Sequence, residues 1–190
     1  VGAAPPGPGP PHPPSPSPNG RLAFDNMFVG GAVLQMNTET AVWGWNAPNT
    51  AITLSIGGKV VAHANTTGGS EGNYTWSARL PSMPTGKDHI LQVESGGQHD
   101  QVPVSFGIVI LCSGQSNMGM NVGPGKFVAD NGTAESAASE RYAGKISLRL
   151  DSGPYGMGPG PMDKSEARRN RGTWFSPSNA SLPAFSAVCW

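Results

Sequence analysis

Proline fixes its own φ and cannot donate a backbone hydrogen bond, so the placement of the prolines limits what the rest of the chain can become. Nine of the nineteen fall within Val1–Pro18, in VGAAPPGPGPPHPPSPSP, which carries no charged side chain and almost no apolar bulk. A segment like this buries too little surface to offset the entropy of ordering, and it favours an extended polyproline II path. Residues 1–20 therefore read as a semi-rigid linker or stalk. An SH3-type ligand is the lesser reading, because the PxxP spacing has no Arg or Lys beside it. Glycine and proline together make up nearly a quarter of the 190 residues, which excludes a helical bundle. The length fits one domain, or a small domain and part of another.

Twelve basic and twelve acidic side chains give a formal charge of zero. A nucleic-acid binder would need an excess of Lys and Arg to neutralise phosphates, so that class is excluded. No apolar run approaches the eighteen residues of a membrane span. The N-terminus lacks a basic stretch followed by an apolar one, so no signal peptide is expected within this chain, and a secreted form would be mature or a fragment.

After residue 20 the pattern is that of short strands. Val42-Trp43-Gly44-Trp45 is an apolar burst ended by Asn46-Ala47-Pro48-Asn49. Ile52, Leu54 and Ile56 alternate with Thr53 and Ser55, which puts three branched side chains on one face. Gly57-Gly58 supplies a tight turn before Lys59–Ala64, so residues 51–64 are expected to form a hairpin. Thr75–Leu80, His89–Val93 and Gln101–Phe106 continue the series, with turn signals about every ten residues. Residues 21–106 are thus expected to form a small all-β sandwich or jelly roll.

A different pattern begins at residue 107. Ile108-Val109-Ile110-Leu111-Cys112 is unbroken apolar chain, the signature of a strand covered on both faces in a parallel sheet. Ala134–Gly144 is the best helix candidate, Ile146–Leu150 reads as a second strand, and Ala184–Trp190 as the start of another helix. Strand, helix, strand is a βαβ unit, so residues 107–190 are expected to begin an α/β domain that two strands cannot complete.

Sites in open α/β sheets form at the carboxyl ends of the strands. Ser116 follows the first such strand, in a loop with Gly114 before it and Gly119, Gly123 and Gly125 after it. An exposed serine with backbone N–H groups beside it is a nucleophile candidate; a plain strand-to-helix turn is the alternative.

The run Cys112-Ser113-Gly114-Gln115-Ser116-Asn117-Met118 closely resembles the nucleophile block of sialate O-acetylesterases, a branch of the SGNH-type carbohydrate esterases. Phe24-Asp25-Asn26-Met27, Ala32-Val33-Leu34-Gln35 and Val42-Trp43-Gly44 resemble that family's opening β segment, with Phe28–Gly31 interrupting the usual spacing. Trp76–Pro84 looks like its Trp…Leu-Pro…Met-Pro segment, Ile146–Leu150 like its second strand and Phe185–Trp190 like its next helix. The likeness runs in order over roughly residues 22–190, and linked blocks are more specific than one motif.

The resemblance implies the start of an SGNH-type α/β hydrolase domain after the β domain, and serine hydrolysis of acetyl esters on sugars. Ser116 would attack the acetyl carbonyl, a histidine oriented by an aspartate would take its proton, and the Ser116 N–H would help hold the oxyanion. Gly114, Gln115 and Asn117 would shape and support the loop. The family's later glycine and asparagine blocks and its Asp-x-x-His block have no counterpart before Trp190, so a remaining segment or a second subunit is expected to supply them. Two local departures stand out: Gly119 replaces an acidic or amide residue, and Gly107-Ile108-Val109-Ile110 replaces Gly-Asp-Val-Trp. The alternative to an enzyme is an inactive esterase-like glycoprotein, a structural or glycan-binding part of an extracellular assembly joined through residues 1–20.

His12 lies in the stalk, and His63, His89 and His99 precede the nucleophile, so none is expected to be its base. No CxxC or HxxxH spacing points to a metal, and no cofactor is expected. Cys112 and Cys189 both sit in apolar runs, and two buried thiols are preferred over a bridge, which an oxidising compartment would permit. Asp163–Arg171 (DKSEARRNR) reads as a solvated loop, with anionic-glycan binding the lesser reading. Sequons at Asn65, Asn73, Asn131 and Asn179, with Ser-Pro repeats resembling in composition the hydroxyproline-rich stalks of plant and green-algal extracellular glycoproteins, lead to an expected extracellular, cell-surface or lumenal location.

Overall fold

The computed structural model describes residues 21–25, 27–67, 74–114, 116–123, 128–150 and 174–190. The expected stalk at 1–20, Asn26, Asn73, Gln115 and the expected loop at 163–171 lie outside the described residues.

Eight strands form two sheets around one core. β1 (Ala23–Phe24), β3 (Thr40–Trp45) and β6 (Thr75–Leu80) make an antiparallel sheet in the order β1-β3-β6. β2 (Ala32–Gln35), β4 (Ala51–Ile56), β5 (Lys59–Asn65), β7 (Gly86–Ser95) and β8 (Gln98–Gly107) make the second, in the order β2-β8-β7-β4-β5. The alternation read from the sequence now has a destination. Ile52, Leu54 and Ile56 from β4, Leu91 and Val93 from β7, and Val102, Val104 and Phe106 from β8 are buried against Val42, Trp76, Ala78 and Leu80 of the other sheet. Each strand turns one face inward, as a sandwich requires.

The two hairpins of the larger sheet have the same chemistry at their turns. Gly57-Gly58 has φ of 56° and 81°, and Gly96-Gly97 has 53° and 80°. Positive φ at both central positions is the type I′ turn, whose twist matches that of the flanking strands. At Gly44 the requirement is space: a Cβ there would lie 2.0 Å from the Ala23 carbonyl oxygen and 2.7 Å from the Trp76 ring. Trp76, 1% exposed, lies across that glycine and donates its indole N–H to Trp45 O at 3.2 Å.

β2 and β8 pair in parallel, from Ala32↔Val104 to Gln35↔Gly107, so this sandwich is mixed rather than a wholly antiparallel jelly roll. Side chains of β8 also hold the first sheet: Gln98 Oε1 accepts from Leu22 N and Asp100 Oδ2 from Phe24 N, at 3.1 and 2.9 Å.

The second half departs from expectation in four places. Residues 108–112 are not a strand; Ile108, Ile110 and Leu111 are 71%, 83% and 89% exposed, because no described strand lies beside them to cover either face. The helix expected over 134–144 is α1 (Gly132–Ala138) followed by a 3-10 turn, Ser139–Tyr142. There the Ser139 hydroxyl donates to Ser136 O, a local bond that competes with helix continuation. The expected strand 146–150 is reduced to β9 (Leu148–Arg149), antiparallel to β10 (Trp174–Phe175), so no parallel βαβ unit forms among the described residues. Residues 184–190 hold no α-helix but the end of a 3-10 turn, Leu182–Ala184, and further turns; Pro183 inside that turn provides no amide donor.

A second, smaller cluster forms here from Val122, Leu148 and Leu182, with Phe175, Phe185, Ala187 and Trp190 against it. It is joined to the sandwich by the Arg149 guanidinium and the Trp174 indole N–H, both donating to Met27 O, and by Lys87 Nζ donating to Gly144 O.

Candidate active site

Ser116 opens a 3-10 turn, Ser116–Gly119, and is exposed. Gly114 is needed there for a reason the sequence did not show. A Cβ at Gly114 would lie 2.8 Å from Met118 Cγ, so the methionine side chain folds over the position a larger residue would fill. A Cβ at Gly119 would meet nothing within 4 Å, so packing does not require glycine at that position. Asn117 is exposed, and its side chain has no hydrogen bond to a described residue.

Downstream, the chain is pinned to residues 183–187. Val122 N donates to Phe185 O at 2.9 Å, Gly123 N to Pro183 O at 3.2 Å and Ala187 N to Met120 O at 2.7 Å. Helix α1 packs directly on this stretch: a Cβ on Gly132 would fall 1.4 Å from Val122 O, so only glycine admits the approach. Upstream, Cys112 is joined to Cys189 with Cα atoms 6.0 Å apart. This corrects the expectation of two buried thiols: Cys112 is exposed and Cys189 half-buried, so their apolar neighbours did not report burial. An even cysteine count in a chain with four sequons was the signal for a bridge.

The described histidines do not join Ser116. His63 on β5 lies 3.4 Å from Thr53 Oγ1, His89 packs edge-on against Phe106 with centroids 5.5 Å apart, and His99 pairs with Glu94 across β7 and β8. No histidine follows His99 in the sequence. Among the described residues no group of three His, Cys, Asp or Glu could hold a metal ion, and no helix is long and apolar enough to cross a membrane. What the arrangement offers is a solvent-facing hydroxyl on a tight turn, held at both ends, without a described histidine beside it as proton acceptor.

Asn65, at the end of β5, Asn131, at the N-cap of α1, and Asn179, in a turn, are all exposed.

No family model matches the chain, and no curated protein is similar to it. Among solved structures, it is similar to a carbohydrate acetylesterase from Xanthomonas citri, with a TM-score of 0.68 and 28% identity. The likeness covers 88% of this chain and 35% of that one, so the chain spans about a third of the length of the protein it matches. The fold is thus broadly that of a carbohydrate esterase: a β-rich unit with mixed sheets and few helices.

Proposed function

We propose that the chain is the nucleophile-bearing portion of a carbohydrate acetylesterase of the SGNH type, close in kind to the sialate O-acetylesterases. Residues 1–20 serve as a stalk, 21–106 as the β domain and 107–190 as the front of the esterase domain. The observation that carries the reading is Ser116, solvent-facing on its tight turn, in a chain 28% identical over 88% of its length to a carbohydrate acetylesterase.

In the proposed reaction the Ser116 hydroxyl oxygen attacks the acetyl carbonyl of an O-acetylated sugar while a general base takes its proton. The tetrahedral intermediate collapses, the sugar oxygen leaves with that proton, and an acetyl-serine remains. Water attacks the acetyl-serine, releasing acetate and restoring the hydroxyl. The base comes from a remaining esterase segment or subunit, since no histidine follows His99. Such a partner also accounts for the exposed apolar run at 108–111, a strand sequence whose neighbours the described residues do not supply. The exposed sequon asparagines Asn65, Asn131 and Asn179, and with them Asn73, are proposed N-glycan acceptors of a protein in the secretory pathway or outside the cell.

The test is hydrolysis of an acetylated sugar by the native material. Ser116→Ala is expected to lower kcat by about a thousandfold or more, as loss of a serine nucleophile does; activity unchanged by the substitution would sink the assignment. The second reading, an inactive esterase-like component of an extracellular assembly joined through residues 1–20, draws on the lack of a described histidine beside Ser116. It predicts no hydrolysis by the native material.

A further inference from the structure

Residues 108–114 leave the larger sheet and reach Ser116 with little to hold them. Val109 N donates to Gln35 Oε1 at 2.8 Å, at the carboxyl end of β2. Beyond it, no hydrogen bond joins residues 110–114 to a described residue. Ile110 and Leu111, 83% and 89% exposed, do not anchor the segment by packing either. Among the described residues, the contact that holds it is the Cys112–Cys189 bond, four residues before Ser116.

The two feet of the Ser116 loop therefore stand on one platform, residues 183–189, by different means. The downstream foot is held by three backbone hydrogen bonds, from or to Met120, Val122 and Gly123. The upstream foot is held by one covalent bond whose Cys112 end is exposed to solvent. Neither cysteine belongs to the sandwich core or to the Val122–Leu148–Leu182 cluster, so the bond can open without emptying either.

We propose that Cys112–Cys189 is a redox-labile tether that positions Ser116, and that a dithiol reductant releases the upstream foot of the loop and leaves the downstream foot in place. One thiolate of the reductant attacks a sulfur of the bridge and expels the other cysteine as thiolate, forming a mixed disulfide. The second thiol of the reductant displaces the remaining cysteine. In sum two electrons and two protons pass to the protein, giving two cysteine thiols, and the reductant becomes a disulfide. Cys112 and Cys189 are then positioning residues: they touch no reacting atom and act through the loop. The positioning role rests on Ser116 being the nucleophile, whereas the tether itself does not.

Two measurements test it on the full chain with and without dithiothreitol, reduction being checked by the mass of the alkylated thiols. Backbone NMR order parameters over residues 110–117 are expected to fall on reduction from about 0.85 to below about 0.6, the span between rigid and flexible backbone. Residues 120–123 and strands β4 and β7 should keep theirs. Cys112→Ser and Cys189→Ser should each reproduce the reduced pattern under oxidising conditions. In native material that hydrolyses acetyl esters, reduction should lower kcat by about a hundredfold, the scale of a misplaced reacting group, with KM little changed and recovery on reoxidation. Order parameters unchanged by complete reduction would overturn the tether, as would an equal loss of order across β4 and β7, which marks a general staple of the fold. Unchanged kcat in reduced protein would overturn the positioning role. Hydrolysis indifferent to Ser116→Ala removes the nucleophile reading alone, and the order parameters still decide the tether.

Discussion

Gly44, Gly114 and Gly132 carry three different loads, and none is the flexibility that a glycine-rich chain invites one to assume. At Gly44 the space is taken by the Ala23 carbonyl and the Trp76 ring, at Gly132 by the Val122 carbonyl, and at Gly114 by the Met118 side chain. Backbone oxygens give way less readily than the end of a flexible side chain. Gly44→Ala should therefore cost about 1–3 kcal/mol or more, the range for overpacking a filled site, and loosen β1 from β3. Gly114→Ala should cost less, because Met118 can rotate away, and its effect should appear in the Ser116 turn rather than in the unfolding midpoint. Chemical denaturation of the two variants compares them directly. Trp76→Ala removes the ring that covers Gly44 along with its hydrogen bond to Trp45, and should cost about 3–5 kcal/mol.

Among the elements, the hairpins were legible because their signals are local. Gly57-Gly58 and Gly96-Gly97 sit between alternating apolar runs, and alternation names both the strand and its inward face. Substituting both residues of the first turn with alanine should cost about 1–2 kcal/mol for each positive-φ position, whereas Gly57→Asn should be nearly neutral, since asparagine tolerates that region. Thermal unfolding of the two variants checks this. The parallel pairing of β2 with β8 left no trace in the sequence, because the partners lie about seventy residues apart and no short pattern encodes so distant a neighbour. The run at 108–112 was misread for a related reason. Five apolar residues in a row say that both faces want cover; they do not say what covers them, and here no described strand does. The candidate site was legible at Ser116, whose glycine-flanked loop is a local feature. It was not legible at Cys112 and Cys189, where the apolar context pointed to burial and the structure shows a bridge exposed at its Cys112 end.

For the molecule as a whole, one core and one cluster carry the fold while the segment bearing Ser116 crosses between them largely uncovered. Ile110→Lys should then leave the stability of this chain within about 0.5 kcal/mol, as exposed substitutions do, and reduce its self-association. Light scattering beside a denaturation curve separates the two effects. Opening the bridge, which spans 77 residues of sequence, should lower stability by about 4–5 kcal/mol on the loop-entropy account, measured as a shift of the denaturation midpoint in Cys112→Ser.

The parallel pair also sets an order of events. β2 is made early, yet its partner in the larger sheet is β8, the last strand of the sandwich. Such non-local closure is slow, because the intervening chain must be gathered before the contact can reward it. During synthesis the two Gly-Gly hairpins can form as they emerge, while β2 stays without its one sheet partner until β8 has been completed at Gly107. The residues that follow at once are Ile108 to Ser116. The act that seals the sandwich is thus the same act that delivers the segment bearing Ser116, and that serine has no finished scaffold to stand on before that moment.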